Sequence, residues 1–394
     1  MPTRTRVVRS PVLFLSVFML WATITLSSSA AWAAVPQFGE NTETVPLRGR
    51  VIQVEDLEPE EAVRNFVKKE QLATIEVTRG QYRGQQFKLL NSLMGHPLFD
   101  LYLTPGRQVI LWGEVDEAGR LQQIYLQDSA RDTYLYLLAG VFVLALLLVG
   151  RRKGLATVFT LAVTIFAVFQ ILLPLLLAGY SPIAMTILVA SGVTLVTMGL
   201  VGGLHWKTVA AVVGTIGGVV VAGLLALIVG GAVRLTGFSS EEAQMLLYME
   251  SGPLDVRGLL FAGIIVGSLG AVMDVAMSIA AAMHEIRCAN PRLGFKELVG
   301  SAMNVGRDVM GTMANTLILA YVGSTMPLLL LFMGNLTPWQ TVINSDLVAT
   351  EVVRALAGSI GLVATIPLTA LTAGLLLFRV GRKEQKKQNL ERMS

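Results

Sequence analysis

The sequence has little cysteine and little charge. One cysteine, Cys288, among 394 residues excludes an intramolecular disulfide framework and a zinc site built from cysteines alone. Charged residues make up 15% of the chain and hydrophobic residues 53%, whereas soluble domains carry roughly 25% and 45–50%. An ordinary soluble domain is therefore excluded, and so is a disordered chain, which needs low hydrophobicity. Catalytic signatures are missing as well. There is no GxxxxGK[ST] for a P-loop motor, no GxSxG for a serine hydrolase and no HExxH for a zincin. The expectation is a non-enzyme that needs no cofactor.

The net charge of +4 is unevenly spread. Arg4, Arg6 and Arg9 precede the first apolar run, residues 34–133 hold roughly 11 basic and 15 acidic residues, and the remainder roughly 17 and 12. Residues 1–33 combine a basic start, an apolar stretch at 11–26 and the small-residue ending Ala31-Trp32-Ala33. That pattern predicts a signal peptide cleaved after Ala33, with an uncleaved anchor as the alternative. Residues 34–132 then form an exported domain. Alternating runs at 47–54, 73–78, 86–90, 108–115 and 121–127, separated by turns such as Arg79-Gly80 and Thr104-Pro105-Gly106, predict five antiparallel strands, with a helix at 58–71. Such a domain suits an all-β, OB-like barrel. Phe87, Phe99, Tyr102, Trp112 and Tyr125 are expected to fill its core, and its acidic balance opposes a nucleic-acid partner.

From Tyr134 the chain carries apolar runs long enough to cross a bilayer. Seven are expected, at 134–150, 155–178, 182–203, 208–232, 258–281, 310–333 and 355–378, making residues 133–381 an α-helical multipass membrane bundle. A basic tail follows at 382–394. With the β domain outside, the segments expected in the cytoplasm hold roughly 14 basic residues, including Arg151-Arg152-Lys153 and a loop at 284–308. The opposite short loops hold roughly 3 (Arg234, Arg257, Arg354), as the positive-inside rule requires. The expected location is a bacterial inner membrane, with lipids and an unidentified substrate or envelope protein as partners. Gly199 and Gly203, Gly214 and Gly218, and Gly263 and Gly267 form small-xxx-small pairs suited to close helix packing, on which an oligomer can also form. Pro174, Pro327 and Pro367 are candidate kinks.

Chemistry concentrates in the fifth and sixth runs. Gly267, Gly270, Asp274, Ser278, Ala281 and Glu285 recur at helical spacing, so one face carries a carboxylate within an apolar span. A charged Asp at a helix centre costs about 2.5–3.5 kcal/mol on insertion scales, so it must be paired, hydrated or protonated. Asn304, Asp308, Gly311, Thr312 and Asn315 form a second stripe on the next span. Asp274, Ser278, Asp308, Thr312 and Asn315 are thus expected to line one intramembrane polar site, with Asp274 as proton carrier; the alternative is a hydrogen-bonded clasp that fixes helix register. Arg307 reads as an interfacial snorkelling residue. His284 and Cys288 lie one turn apart but lack the further ligands of a metal site.

The segments MDVAMSIAAAMHEI (273–286) and MNVGRDVMGTMANTLILAYVGSTMPLLLL (303–331) resemble the signature stretch of the YibE/F-like membrane proteins, a likeness extending over about 45–380. The resemblance implies a multipass membrane protein and supplies no catalytic residues. A weaker likeness to the SecD/SecF and RND-type export proteins falls on Asp274, Thr312 and Asn315, although the six-span repeat of those proteins is missing. It favours transport, as a permease or export-associated protein, over a scaffold that recruits an envelope partner through the β domain.

Overall fold

A computed structural model describes residues 43–59, 66–96, 100–116, 118–203, 205–248 and 254–393. The signal peptide expected at 1–33 lies outside them. The chain divides into two compact units at 140/141.

The first unit is a five-stranded antiparallel sheet. Strands β1 (Glu43–Leu57), β2 (Lys69–Val77), β3 (Gln86–Leu93), β4 (Gln108–Val115) and β5 (Leu121–Ser129) lie in the order β3-β2-β1-β4-β5. The fifteen-residue β1 organises it, pairing its first half with β4 and its second half with β2 across an irregularity between Val51 and Gln53. Such a bulge increases local twist and bends the strand. The sheet curls into a half-barrel, and its edges β3 and β5 approach each other. Alternate residues point inward, so Val51, Ile75, Val77, Val109 and Leu111 are fully buried.

Two expectations for this unit are corrected. Residues 69–71, assigned to a helix, open β2 instead; the rest of that prediction falls largely on 60–65, outside the described residues. The aromatics do not fill the core as a group. Phe87 packs against it, whereas Tyr102 and Tyr125 are exposed, Trp112 is half-buried and Phe99 lies outside the described residues. Among the described residues of this unit, the buried aromatic is Tyr82, whose hydroxyl donates to the Gly119 carbonyl at 3.0 Å.

The helices are α1 (Asp132–Phe166), a π-helical turn (Ala167–Leu172), α2 (Leu173–Leu177), α3 (Pro182–Gly202), α4 (Trp206–Ala232), α5 (Glu241–Met245), α6 (Val256–Ala289), α7 (Phe295–Gly334), α8 (Trp339–Asn344) and α9 (Asp346–Met393). Six helical runs among the described residues are long and apolar enough to cross a membrane. The first, Asp132–Leu177, has 46 residues and would extend about 69 Å if straight, more than twice the hydrocarbon thickness. It is broken at Arg151, whose φ of 48° and ψ of −122° are not helical. A side chain at Gly154 would collide with the Leu146 carbonyl and lie 3.3 Å from the Leu147 Cα. Residues eight apart in a continuous helix are separated by about 12 Å, so the backbone turns back on itself here.

Core packing in the second unit centres on α4, α6 and α9, flanked by α3 and α7. Val272, Ile279 and Met283 of α6 meet Leu298 and Ala302 of α7 and Leu362 of α9 in one buried cluster. Gly218 marks the tightest seam: a Cβ there would overlap Thr365 Oγ1 and come within 2.8 Å of the Gly361 carbonyl. Gly214 meets Thr369 in the same seam, and Gly267 lies under Tyr321 of α7. Gly203 turns the chain at φ 73° beside His205, while Gly199 and Gly263 meet nothing within 4 Å among the described residues.

The loop expected at 284–308 is mostly helix. Helix α6 continues to Ala289 and α7 begins at Phe295, where the Gly294 N–H donates to Glu297 Oε2 at 2.9 Å. Polar residues there occupy helix ends that the apolar-run criterion passes over. Likewise α9 starts at Asp346, nine residues before the apolar run expected at 355, and its backbone stays helical through the basic tail. Pro327 and Pro367 lie inside α7 and α9, and Pro174 follows the π-turn.

Candidate functional site

Asp274 and Ser278 occupy an exposed face of α6, and Asp308, Thr312 and Asn315 an exposed face of α7. The five residues are not gathered into one enclosed, hydrogen-bonded site. Thr312 Oγ1 donates to its own helix, at the Val309 carbonyl (3.0 Å), and Arg307 Nη1 to Asn304 Oδ1 (2.7 Å). Among the described residues, the side chains of Asp274, Ser278, Asp308 and Asn315 make no hydrogen bond or ion pair, and none bridges the two helices. The two stripes are nevertheless level. The short 290–294 connection makes α6 and α7 antiparallel, and Gly267 lies opposite Tyr321. Moving equally along both helices from that contact sets Asp274 level with the 312–315 turn.

A second polar locus lies at the other end of these helices, where the sequence reading placed only loop charges. Arg354 Nη1 donates to Glu351 Oε1 at 2.7 Å, one helical turn apart on α9, and both side chains are partly buried. Among the described residues, Glu351 Oε2, the Tyr321 hydroxyl, Thr350 Oγ1 and Arg257 Nε are buried without a hydrogen-bond partner. Arg257 is in the first turn of α6 and rests its guanidinium 5.6 Å from the Phe261 ring centre. Neither Arg257 nor Arg354 is therefore a free loop charge.

The ion pair lines a cavity of about 520 Å³ bounded by α6, α7, α9 and the segment before α5. Its polar wall consists of Ser239, Ser240, Ser324, Thr325, Glu351 and Arg354. An adjoining apolar groove of about 250 Å³ shares Thr325, Leu328 and Glu351 with it. Thr236 Oγ1 donates to Asp346 Oδ2 at 2.7 Å, tying the loop after α4 to the start of α9, and Asp255 caps α6 by accepting from the Gly258 N–H at 2.8 Å. A cavity with one ion pair and four hydroxyls in an apolar bundle can hold water or a small polar solute. Sequence reasoning missed it, although an acid and a base three residues apart just before an apolar run were a readable sign of one charged helical face.

His284 packs edge-on against Trp206, with ring centres 5.3 Å apart, and its ring lies 3.9 Å from Cys288 Sγ. Among the described residues, no group of three or more His, Cys, Asp or Glu side chains comes together to hold a metal ion.

On the sheet, Pro46, Trp112 and Tyr125 stand side by side on β1, β4 and β5. Tyr125 is 43% exposed, and partial desolvation with the Glu114 carboxylate beside it raises its phenol above the usual value. Elsewhere on the sheet Lys69 Nζ donates to Asp56 Oδ2 at 2.7 Å and to the Tyr102 hydroxyl at 3.1 Å.

A set of long apolar helices joined by short turns, with polar groups confined to a few faces, defines a multipass membrane protein. The chain belongs to the YibE/F-like family, whose description is YibE/F-like protein and whose family model matches residues 138–379. That match covers the bundle and leaves the five strands outside it. Among curated proteins and among solved structures, none matches the chain.

Proposed function

We propose that this protein is a membrane transporter, a permease or export-associated protein, whose solute path begins at the Glu351–Arg354 cavity. The carrying observation is a cavity of about 520 Å³ whose wall includes the Glu351–Arg354 ion pair inside an apolar bundle. Charged groups inside a membrane bundle are costly and mark solute or proton pathways. In this reading the basic ends at 203–207 and 284–296 are cytoplasmic, and the break at Arg151 lets the first apolar run cross twice, giving seven crossings. The β unit, used as an OB-like contact module, is then outside. Asp274 serves as the proton-carrying group, flanked by Ser278, Asp308, Thr312 and Asn315.

The test is purified protein in vesicles loaded with a pH-sensitive dye and challenged with panels of inorganic cations, amines and carboxylates. At least one panel should give protein-dependent proton movement, reduced at least tenfold by Glu351→Gln and by Asp274→Asn in variants that remain folded. Wild-type rates at both variants would remove these groups from the path.

A scaffold role is the second reading, supported by the row of exposed Pro46, half-buried Trp112 and exposed Tyr125. Aromatic side chains of this kind are enriched where proteins meet. It predicts no flux with any panel, and an envelope partner that is lost when residues 44–128 are deleted.

A further inference from the structure

We infer that the outward face formed by α6 and α7 docks against the same face of a second copy, side by side in the membrane. Helix α7 is packed unlike its neighbours. Only 6% of its most apolar window is buried, against 56% for α6 and 50% for α9. Yet its uncovered face is not a lipid-facing surface. Asp308, Thr312 and Asn315 are exposed along it, and Asp274 and Ser278 continue the polar strip on α6. Hydrocarbon offers none of these groups a hydrogen-bond partner.

The backbone on this face is also bare. Among the described residues, a Cβ added at Gly270 or Gly311 would meet nothing within 4 Å, so another helix can approach closely there. A second copy is favoured as the occupant because the face is complementary to itself. Arg307 and Asp308 are consecutive exposed residues, separated by about 1.5 Å along the helix axis. A two-fold axis normal to the membrane keeps equivalent residues at one depth, so each Arg307 can meet the partner's Asp308, the reciprocal arrangement of an isologous interface. Arg307 uses Nη1 on Asn304 and keeps further N–H donors for that contact. This inference does not depend on transport: a scaffold would pair through the same face.

The experiment uses the full chain in native membranes, with Cys288→Ser as background. Gly311→Cys and Asn315→Cys are oxidised in parallel with Leu224→Cys, a control on the exposed side of α4. Adducts of twice the chain mass should form at least tenfold more at 311 and 315 than at 224. Arg307→Asp should lower the dimer yield of the Asn315→Cys chain at least tenfold, and Arg307→Asp with Asp308→Arg should restore it. Rescue by the swap separates pairing from misfolding. The inference is overturned by equal yields at 311, 315 and 224, by an adduct with a different protein, or by a swap variant that stays folded and monomeric.

Discussion

Single side chains settle how the sheet responds to pH. The Lys69 ammonium, hydrogen-bonded to Asp56, holds that carboxyl below its ordinary 3.8, with a further hydrogen bond from Gln71. The same contact raises Lys69 above 10.5. A lowered acid stabilises the folded state above pH 3.8 and loses that contribution as pH falls through its folded value. A raised base contributes fully below pH 10.5 and loses its share as pH rises through its folded value. Both ends are solvent-exposed, so the effect is small. Lys69→Met is expected to lower the melting temperature of the sheet by a steady amount near neutrality, and the gap to wild type should close below pH 3.8. Thermal melts followed by amide exchange on β1 and β2 would show it; a gap unchanged to pH 2 would argue against the pair. At this scale the sequence was only partly legible. Asp274 stands out because a lone carboxylate in an apolar run is rare. Glu351 and Arg354 did not, because the residues that line the cavity and groove with them, such as Tyr321, Ser239 and Thr325, come from distant parts of the chain.

Whole elements were easier to read, for a physical reason. Period-two alternation follows from one face of a sheet being buried, and all five expected strands overlap β1 to β5, each beginning or ending within a few residues of the observed strand. Helix ends at 281–289 and 295–310 were less legible, since polar residues continue a helix beyond its apolar part without changing its backbone. Glycine pairs were readable only as a class: their spacing is the same at Gly199, which faces open space, and at Gly218, which lies in the α4–α9 seam. The difference is testable. Gly218→Val must push α4 from Thr365 and Gly361, costing about 1–3 kcal/mol as an overpacked core does. Gly199→Ala has room for its methyl and reduces the freedom of the unfolded chain, so it should be neutral or stabilising by up to about 1 kcal/mol. Denaturation in detergent, followed by loss of helical circular dichroism, would compare them; equal losses would mean that the seam is not closed in the membrane.

Across the molecule, the scarce charge is sorted by place. The two long connections at 233–255 and 335–345 share one end of the bundle, tied by Thr236 to Asp346. That end carries Glu241, Glu242, Asp255, Asp346 and Glu351 against Arg234, Arg257 and Arg354. The other end carries Lys207, Arg287, Arg292 and Lys296 against Glu285 and Glu297, with Arg287 4.9 Å from the Phe378 ring centre. Only the basic end is expected to remain in the cytoplasm, since Lys and Arg set orientation while acidic residues contribute little. The single native cysteine makes this directly measurable. In a Cys288→Ser chain, Glu241→Cys and Gln340→Cys should react from outside intact cells with a membrane-impermeant maleimide, whereas Arg292→Cys should react only after permeabilisation. Labelling of Arg292→Cys from outside would invert the whole bundle and place the Glu351–Arg354 cavity on the cytoplasmic side. Labelling of 241 and 340 from opposite sides would break the shared end on which the cavity depends.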